Sequence, residues 1–151
     1  MKTITLEKID TESVEKVIDL LYNEDEVILI LDCEGGSIHL SEILIKELNK
    51  NKDKVTMYGY SMLSAGFDVF NEFEGKKELT SFCQIMFHKA DRTSSLLWSK
   101  DKGFDLRLEK DNELKRHQYK NFLTKKELKQ YDRGEEVWII DEDRIKLIFG
   151  L

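Results

Sequence analysis

The chain has 151 residues, of which 40% are hydrophobic and 36% charged, and a formal net charge of −6. That length fits one domain, expected to span residues 1–151, and the composition is that of a globular chain able to bury its own core rather than of a disordered one. The acidic balance argues against nucleic acid or an anionic membrane as partner, because both demand cationic surface.

The N-terminal MKTITLEKIDTES has no apolar stretch of the kind a signal peptide needs. The longest apolar run, Val27 to Leu31, is far too short to cross a bilayer, so a cytoplasmic location is expected. Cys33 and Cys83 lie in separate apolar runs without metal-type spacing and read as reduced core thiols. His39 and His117 stand alone and read as surface residues, and no metal or cofactor is expected.

Thr3 to Ile9 alternates as a short strand, and Asp10 or Thr11 caps a helix whose apolar positions are Val14, Val17, Ile18, Leu20 and Leu21. Val27 to Leu31 is a continuous β-branched and leucine run, which suits a strand covered on both faces. A glycine turn, Gly35-Gly36, follows, then a helix carrying Ile38, Ile43, Leu44, Ile45 and Leu48. Val55 to Tyr60 reads as a strand, Ser61 to Gly66 as a small-residue turn, Phe67 to Phe73 as a helix and Ser81 to Phe87 as a strand ending at His88. Strand and helix thus alternate three times before the next strand, which predicts right-handed βαβ units and a mainly parallel sheet flanked by helices. From residue 89 to 122 the strand signals vanish and charge rises, an irregular or helical excursion. Thr124 with Glu127 is a capping-box pattern opening a short helix to Tyr131, Val137 to Ile140 is a last strand, and Asp141 caps a final helix to Phe149.

The residues that carry chemistry gather at predicted strand ends, where open parallel sheets form their sites. Ser64 stands at a strand-to-helix turn and His88 just past another strand. A serine hydroxyl is a poor nucleophile without a base, and imidazole titrates near neutrality, so the two suit a serine-hydrolase pair. Gly35 and Gly36, with the amide of Ala65, supply N–H groups for an oxyanion hole. Each part also has a plainer role, since a serine before a helix is most often an N-cap and Gly-Gly after a strand most often a tight turn.

The order of these parts resembles the proteolytic subunit of the Clp protease, in the ClpP/crotonase superfamily. The resemblance covers residues 2 to 88 almost continuously and 122 to 141 more loosely. ILILDCEGGS, Ile28 to Ser37, resembles the family's strand and oxyanion turn; SMLSAG, Ser61 to Gly66, resembles the stretch holding its nucleophile; QIMFH, Gln84 to His88, resembles that holding its histidine; and Phe122-Leu123-Thr124 resembles the start of its next helix. The resemblance implies a ClpP/crotonase-like α/β fold, a Ser64–His88 peptidase acting on peptides or unfolded proteins, and a homo-oligomer. This sequence departs from the family at Glu34, where the turn normally has proline, and at Lys120, where the family has its catalytic aspartate. Asn121, next to Lys120 in sequence, is able to orient the histidine ring without supplying charge, with Asp91, Asp111 and Asp132 as acidic alternatives from elsewhere. Residues 89–121 correspond to a shortened handle, and the family's axial N-terminal segment has no counterpart, which counts against docking to an ATPase ring. Two alternatives stand beside the peptidase: a catalytically impaired assembly or binding subunit of the same fold, and a crotonase-type enzyme acting on acyl-CoA.

Overall fold

A computed structural model describes residues 1–90 and 102–151. Strands β1 (Lys2–Leu6), β2 (Val27–Cys33), β3 (Val55–Leu63), β4 (Lys76–Phe87) and β5 (Val137–Ile139) form one sheet in the order β1-β2-β3-β4-β5. The β1–β2, β2–β3 and β3–β4 pairs are parallel. The connecting helices are α1 (Thr11–Asn23), α2 (Ile38–Lys50) and α3 (Ala65–Glu72). Each crossover steps in the same direction. Right-handed crossovers then stack these helices on one face of the sheet, where α1 meets α2 and α2 meets α3.

Local chemistry explains where the helices begin. The Asp10 carboxylate accepts the Ser13 N–H at 2.8 Å and opens α1; the Ser37 hydroxyl accepts the Leu40 N–H at 3.2 Å and opens α2. Val14, Val17 and Leu21 of α1 and Leu44, Ile45 and Leu48 of α2 are buried, as their helical spacing requires. Facing them, Val27, Leu29, Leu31 and Cys33 of β2 are buried, whereas Ile28 and Ile30 are half-buried and Asp32 is exposed. The unbroken apolar run of β2, expected to be sealed on both faces, is therefore sealed on the one the helices cover.

Strands β3 and β4 are longer than their sequence signal. β3 runs on to Leu63 through the small-residue stretch, and β4 begins at Lys76 instead of Ser81. The charged start of β4 pairs with Thr56, Met57 and Tyr58 of β3, and its Lys76 and Glu78 side chains form an exposed ion pair at 3.0 Å. Backbone pairing, not side-chain burial, makes this half a strand, so alternation could not reveal it.

The chain divides into two compact units: Met1–Met86 with Trp138–Leu151, and Phe87–Val137. In the first, helix α6 (Glu142–Phe149) starts at Asp141, whose carboxylate accepts the Arg144 N–H at 2.8 Å. Its Phe149 ring packs on Phe67 and Phe70 of α3, with centroids 5.2 and 4.6 Å away. The second unit holds α4 (Lys102–Tyr119) and α5 (Lys125–Asp132), so the described part of the charged excursion is largely helical. The Thr124–Glu127 capping box at the start of α5 is present in full. Among the described residues, Phe87, Tyr119 and Tyr131 pack together as an aromatic cluster of this unit. Among the described residues no helix is long and apolar enough to cross a membrane.

Candidate active site

The glycine turn is fixed by backbone bonds. Glu34 N–H donates to Glu7 C=O at 2.9 Å, Ile9 N–H to Gly35 C=O at 2.8 Å, and Ser37 N–H to Ile9 C=O at 3.1 Å. Gly35 has φ 103° and Gly36 φ 144°, a region L side chains avoid. A Cβ on Gly36 would run into the Ile9 carbonyl. The turn therefore has its rigidity with Glu34, not a proline, ahead of the two glycines.

Gly35 also lies directly against Ser64. A Cβ at Gly35 would sit 3.0 Å from Ser64 Cβ, 3.1 Å from the Leu63 carbonyl and 3.6 Å from the Ala65 nitrogen. Beneath the turn, the buried Cys33 side chain abuts Gly66, and the Gly35 N–H faces its sulfur. Burial pushes the Cys33 thiol up to about 11, with the Gly35 N–H acting in the opposite sense.

Ser64 joins β3 to α3 with φ 55° and ψ −121°. Positive φ at a non-glycine residue costs about 1–3 kcal/mol and persists only where the surroundings enforce it. Here the Ser64 N–H donates to the Met86 carbonyl of β4 at 2.9 Å, and Gly35 fills the other side. Ser64 occupies the N-cap position of α3, yet its side chain makes no capping hydrogen bond. The common structural role for a serine before a helix is therefore not the one this hydroxyl plays. Ala65, first in the helix, and Gly36 both have N–H groups that donate to no acceptor among the described residues. Amides left unbonded in this way are donors of the kind an oxyanion hole requires.

His88 follows directly on β4, two residues after the Met86 that receives the Ser64 N–H, and is half-buried. It belongs to the second unit. In that unit Asn121 lies exposed in the turn after α4; its N–H donates to Gln118 C=O at 3.2 Å, and its side chain forms no hydrogen bond with a described residue. Lys120 beside it is exposed. The Asp111 side chain forms no hydrogen bond or ion pair with a described residue. Asp132 is gripped by Arg116, Nε to Oδ1 at 2.7 Å and the second guanidinium nitrogen to Oδ2 at 3.0 Å, which holds its carboxyl below the usual carboxylate range. Asp91 lies outside the described residues.

His39 and His117 are exposed. Among the described residues no group of three His, Cys, Asp or Glu is placed to hold a metal ion. Sequence reasoning passed over Asp68, which is 4% exposed on α3 four residues after Ser64. Its signal was available: a lone carboxylate inside the apolar run Ala65 to Phe70. It also passed over Ile9, whose N–H donates to Gly35 C=O and whose C=O accepts from Ser37 N–H, anchoring the glycine turn from both sides.

A scan against protein-family models finds no match for this chain, and a search of curated proteins finds none.

Proposed function

We propose that this chain is a ClpP-like serine peptidase in which Ser64 is the nucleophile and His88 its base. The observation that carries the reading is the backbone of Ser64: a strained, non-capping serine between strand and helix, pressed against a glycine turn. Strain of this kind gathers at sites where a side chain must be presented rather than buried.

The steps follow from the groups. The Ser64 Oγ attacks a peptide carbonyl as His88 takes its proton; the carbonyl oxygen gains charge and is met by the amides of Gly36 and Ala65. His88 returns the proton to the departing amine, leaving an acyl-serine. His88 then takes a proton from water, whose oxygen attacks the acyl carbon; as the bond from that carbon to Ser64 Oγ breaks, His88 returns the proton to Oγ and the carboxylic acid product leaves. The substrates are peptides or unfolded proteins, and the working form is a cytoplasmic homo-oligomer.

One observation favours a second reading, a non-catalytic subunit of the same fold. Lys120 stands where the family carries its aspartate, Asn121 makes no side-chain hydrogen bond with a described residue, and Asp132 is committed to Arg116. Loss of the acidic member of a triad costs about 10⁴ in turnover.

A fluorophosphonate probe separates the two. The peptidase reading expects slow covalent labelling of Ser64, abolished in Ser64→Ala and strongly reduced in His88→Ala. A folded protein that resists the probe at high concentration would refute it and leave the non-catalytic subunit.

A further inference from the structure

We infer that Asn112 is a positioning residue for His88, acting through the backbone of Ala90. The inference rests on the reading of His88 as the base, and everything it uses lies within the second unit.

β4 ends at Phe87, so the residues that follow have no strand ladder to satisfy their backbone groups. Asn112, on α4, supplies both bonds for Ala90. Its Oδ1 accepts the Ala90 N–H at 2.9 Å, and its Nδ2 donates to the Ala90 carbonyl at 3.0 Å. One side-chain amide thus reproduces a pair of ladder bonds two residues beyond His88. Only a carboxamide has a donor and an acceptor side by side: an aspartate keeps the acceptor alone, and an alanine neither. Asparagine is a poor helix former, and its use in the middle of α4 is explained by this clasp.

The residue between is tied as well. Lys89 Nζ donates to the Asp132 carbonyl at 3.0 Å, and Asp132 is the residue that Arg116 grips from one turn beyond Asn112. On the other side of His88, the buried Phe87 ring packs on Tyr119 of α4 with centroids 4.6 Å apart. His88 is therefore bracketed by an aromatic anchor before it and an amide clasp after it, both reaching the same helix. A general base must hold its place to a fraction of an ångström, and a displacement of about 1 Å can cost about 100-fold in rate.

The test compares the wild-type chain with Asn112→Ala and Asn112→Asp. Three readouts are taken: the His88 ring ¹⁵N resonances across pH, exchange of the Ala90 amide, and the pH profile of fluorophosphonate labelling at Ser64. In Asn112→Ala the His88 resonances move, the Ala90 amide loses protection, and labelling slows roughly 10- to 100-fold with a displaced pH profile. Asn112→Asp, with half the clasp, falls between, and it carries the comparison if the alanine variant does not fold. A folded variant whose His88 resonances and Ala90 exchange match wild type overturns the inference. Absence of labelling in the wild type would instead refute the peptidase reading, and the resonances and exchange would then decide the role of Asn112 by themselves.

Discussion

Two residues at the candidate site can be probed for the forces that shape it. Gly36 combines φ 144° with the Ile9 carbonyl where a Cβ would go. Gly36→Ala therefore adds backbone strain to a clash with main chain that cannot step aside. The expected loss is about 2–4 kcal/mol, seen as a fall of roughly 5–15 °C in melting temperature by calorimetry. An unchanged melting temperature would mean that the turn is looser than its three backbone bonds imply. Cys33 is fully buried, and its thiol is raised from near 9 to about 11. The unfolded chain then loses the thiol proton before the folded one does, so this contribution to stability is complete below about pH 9 and disappears as pH climbs through 11. Over those two units the linkage amounts to about 2–3 kcal/mol. Urea denaturation of wild type should lose that much more between pH 8.5 and 11 than denaturation of Cys33→Ala, which has no thiol to ionise. Parallel slopes in the two proteins would refute the assignment.

The element that departs furthest from its sequence signal is β4. Opposite Gly59 and Ser61 of β3 stand Leu79 and Gln84, so Thr80, Ser81, Phe82 and Cys83 face Tyr60 alone. This bulge puts Phe82 at φ 64° with 87% of its surface exposed. A phenylalanine there gains almost nothing from burial and carries strain of about 1–3 kcal/mol. Glycine takes the conformation freely at an entropic cost of about 0.5–1 kcal/mol. Phe82→Gly is thus expected to leave melting unchanged or raise it by a few degrees, against the usual rule for strands, whereas Phe82→Val, β-branched at positive φ, should lower it. A clear loss of stability in Phe82→Gly would show that the ring is doing something its exposure hides. The same bulge explains the limits of sequence reading. Asp10, Ser37, Thr124 and Asp141 sit at helix starts because short polar side chains can bond the first free amides, and all but Ser37 were legible as caps. The parallel pairing of the strands followed from the alternation of elements. The first half of β4 was not legible, since Lys76, Lys77 and Glu78 pair by backbone alone. At the site, Ser64, His88 and the glycines stood out as residue types at strand ends. Asn112 did not, because its role depends on a clasp between positions 22 residues apart.

At the scale of the whole chain, the two units differ in how they are built. The first has β2 and β3 as central strands, with Leu29, Leu31, Met57 and Met62 wholly buried and α3 laid against both. The second rests on Phe87, Tyr119, Leu123 and Tyr131, with Arg116–Asp132 and Lys89–Asp132 at its surface. The surface ion pair contributes little, being exposed to solvent and screened by salt. Among the described residues, cohesion of the second unit therefore falls on a few aromatic side chains, and on the side chains of two helices rather than on a ladder of strands. Local opening free energies scale with buried apolar contact, so the units should open separately. Native-state hydrogen exchange is expected to show β2 and β3 amides exchanging only through global unfolding, while those of α4 and α5 exchange through a smaller opening that guanidinium at low concentration promotes. Tyr119→Ala, which removes the ring between Phe87 and Tyr131, should accelerate exchange in α4 and α5 and leave β2 and β3 nearly untouched. If instead that substitution speeds exchange equally in all four elements, the two units unfold as one cooperative body. The clasp on Ala90 would then be held by the whole fold rather than by its own unit.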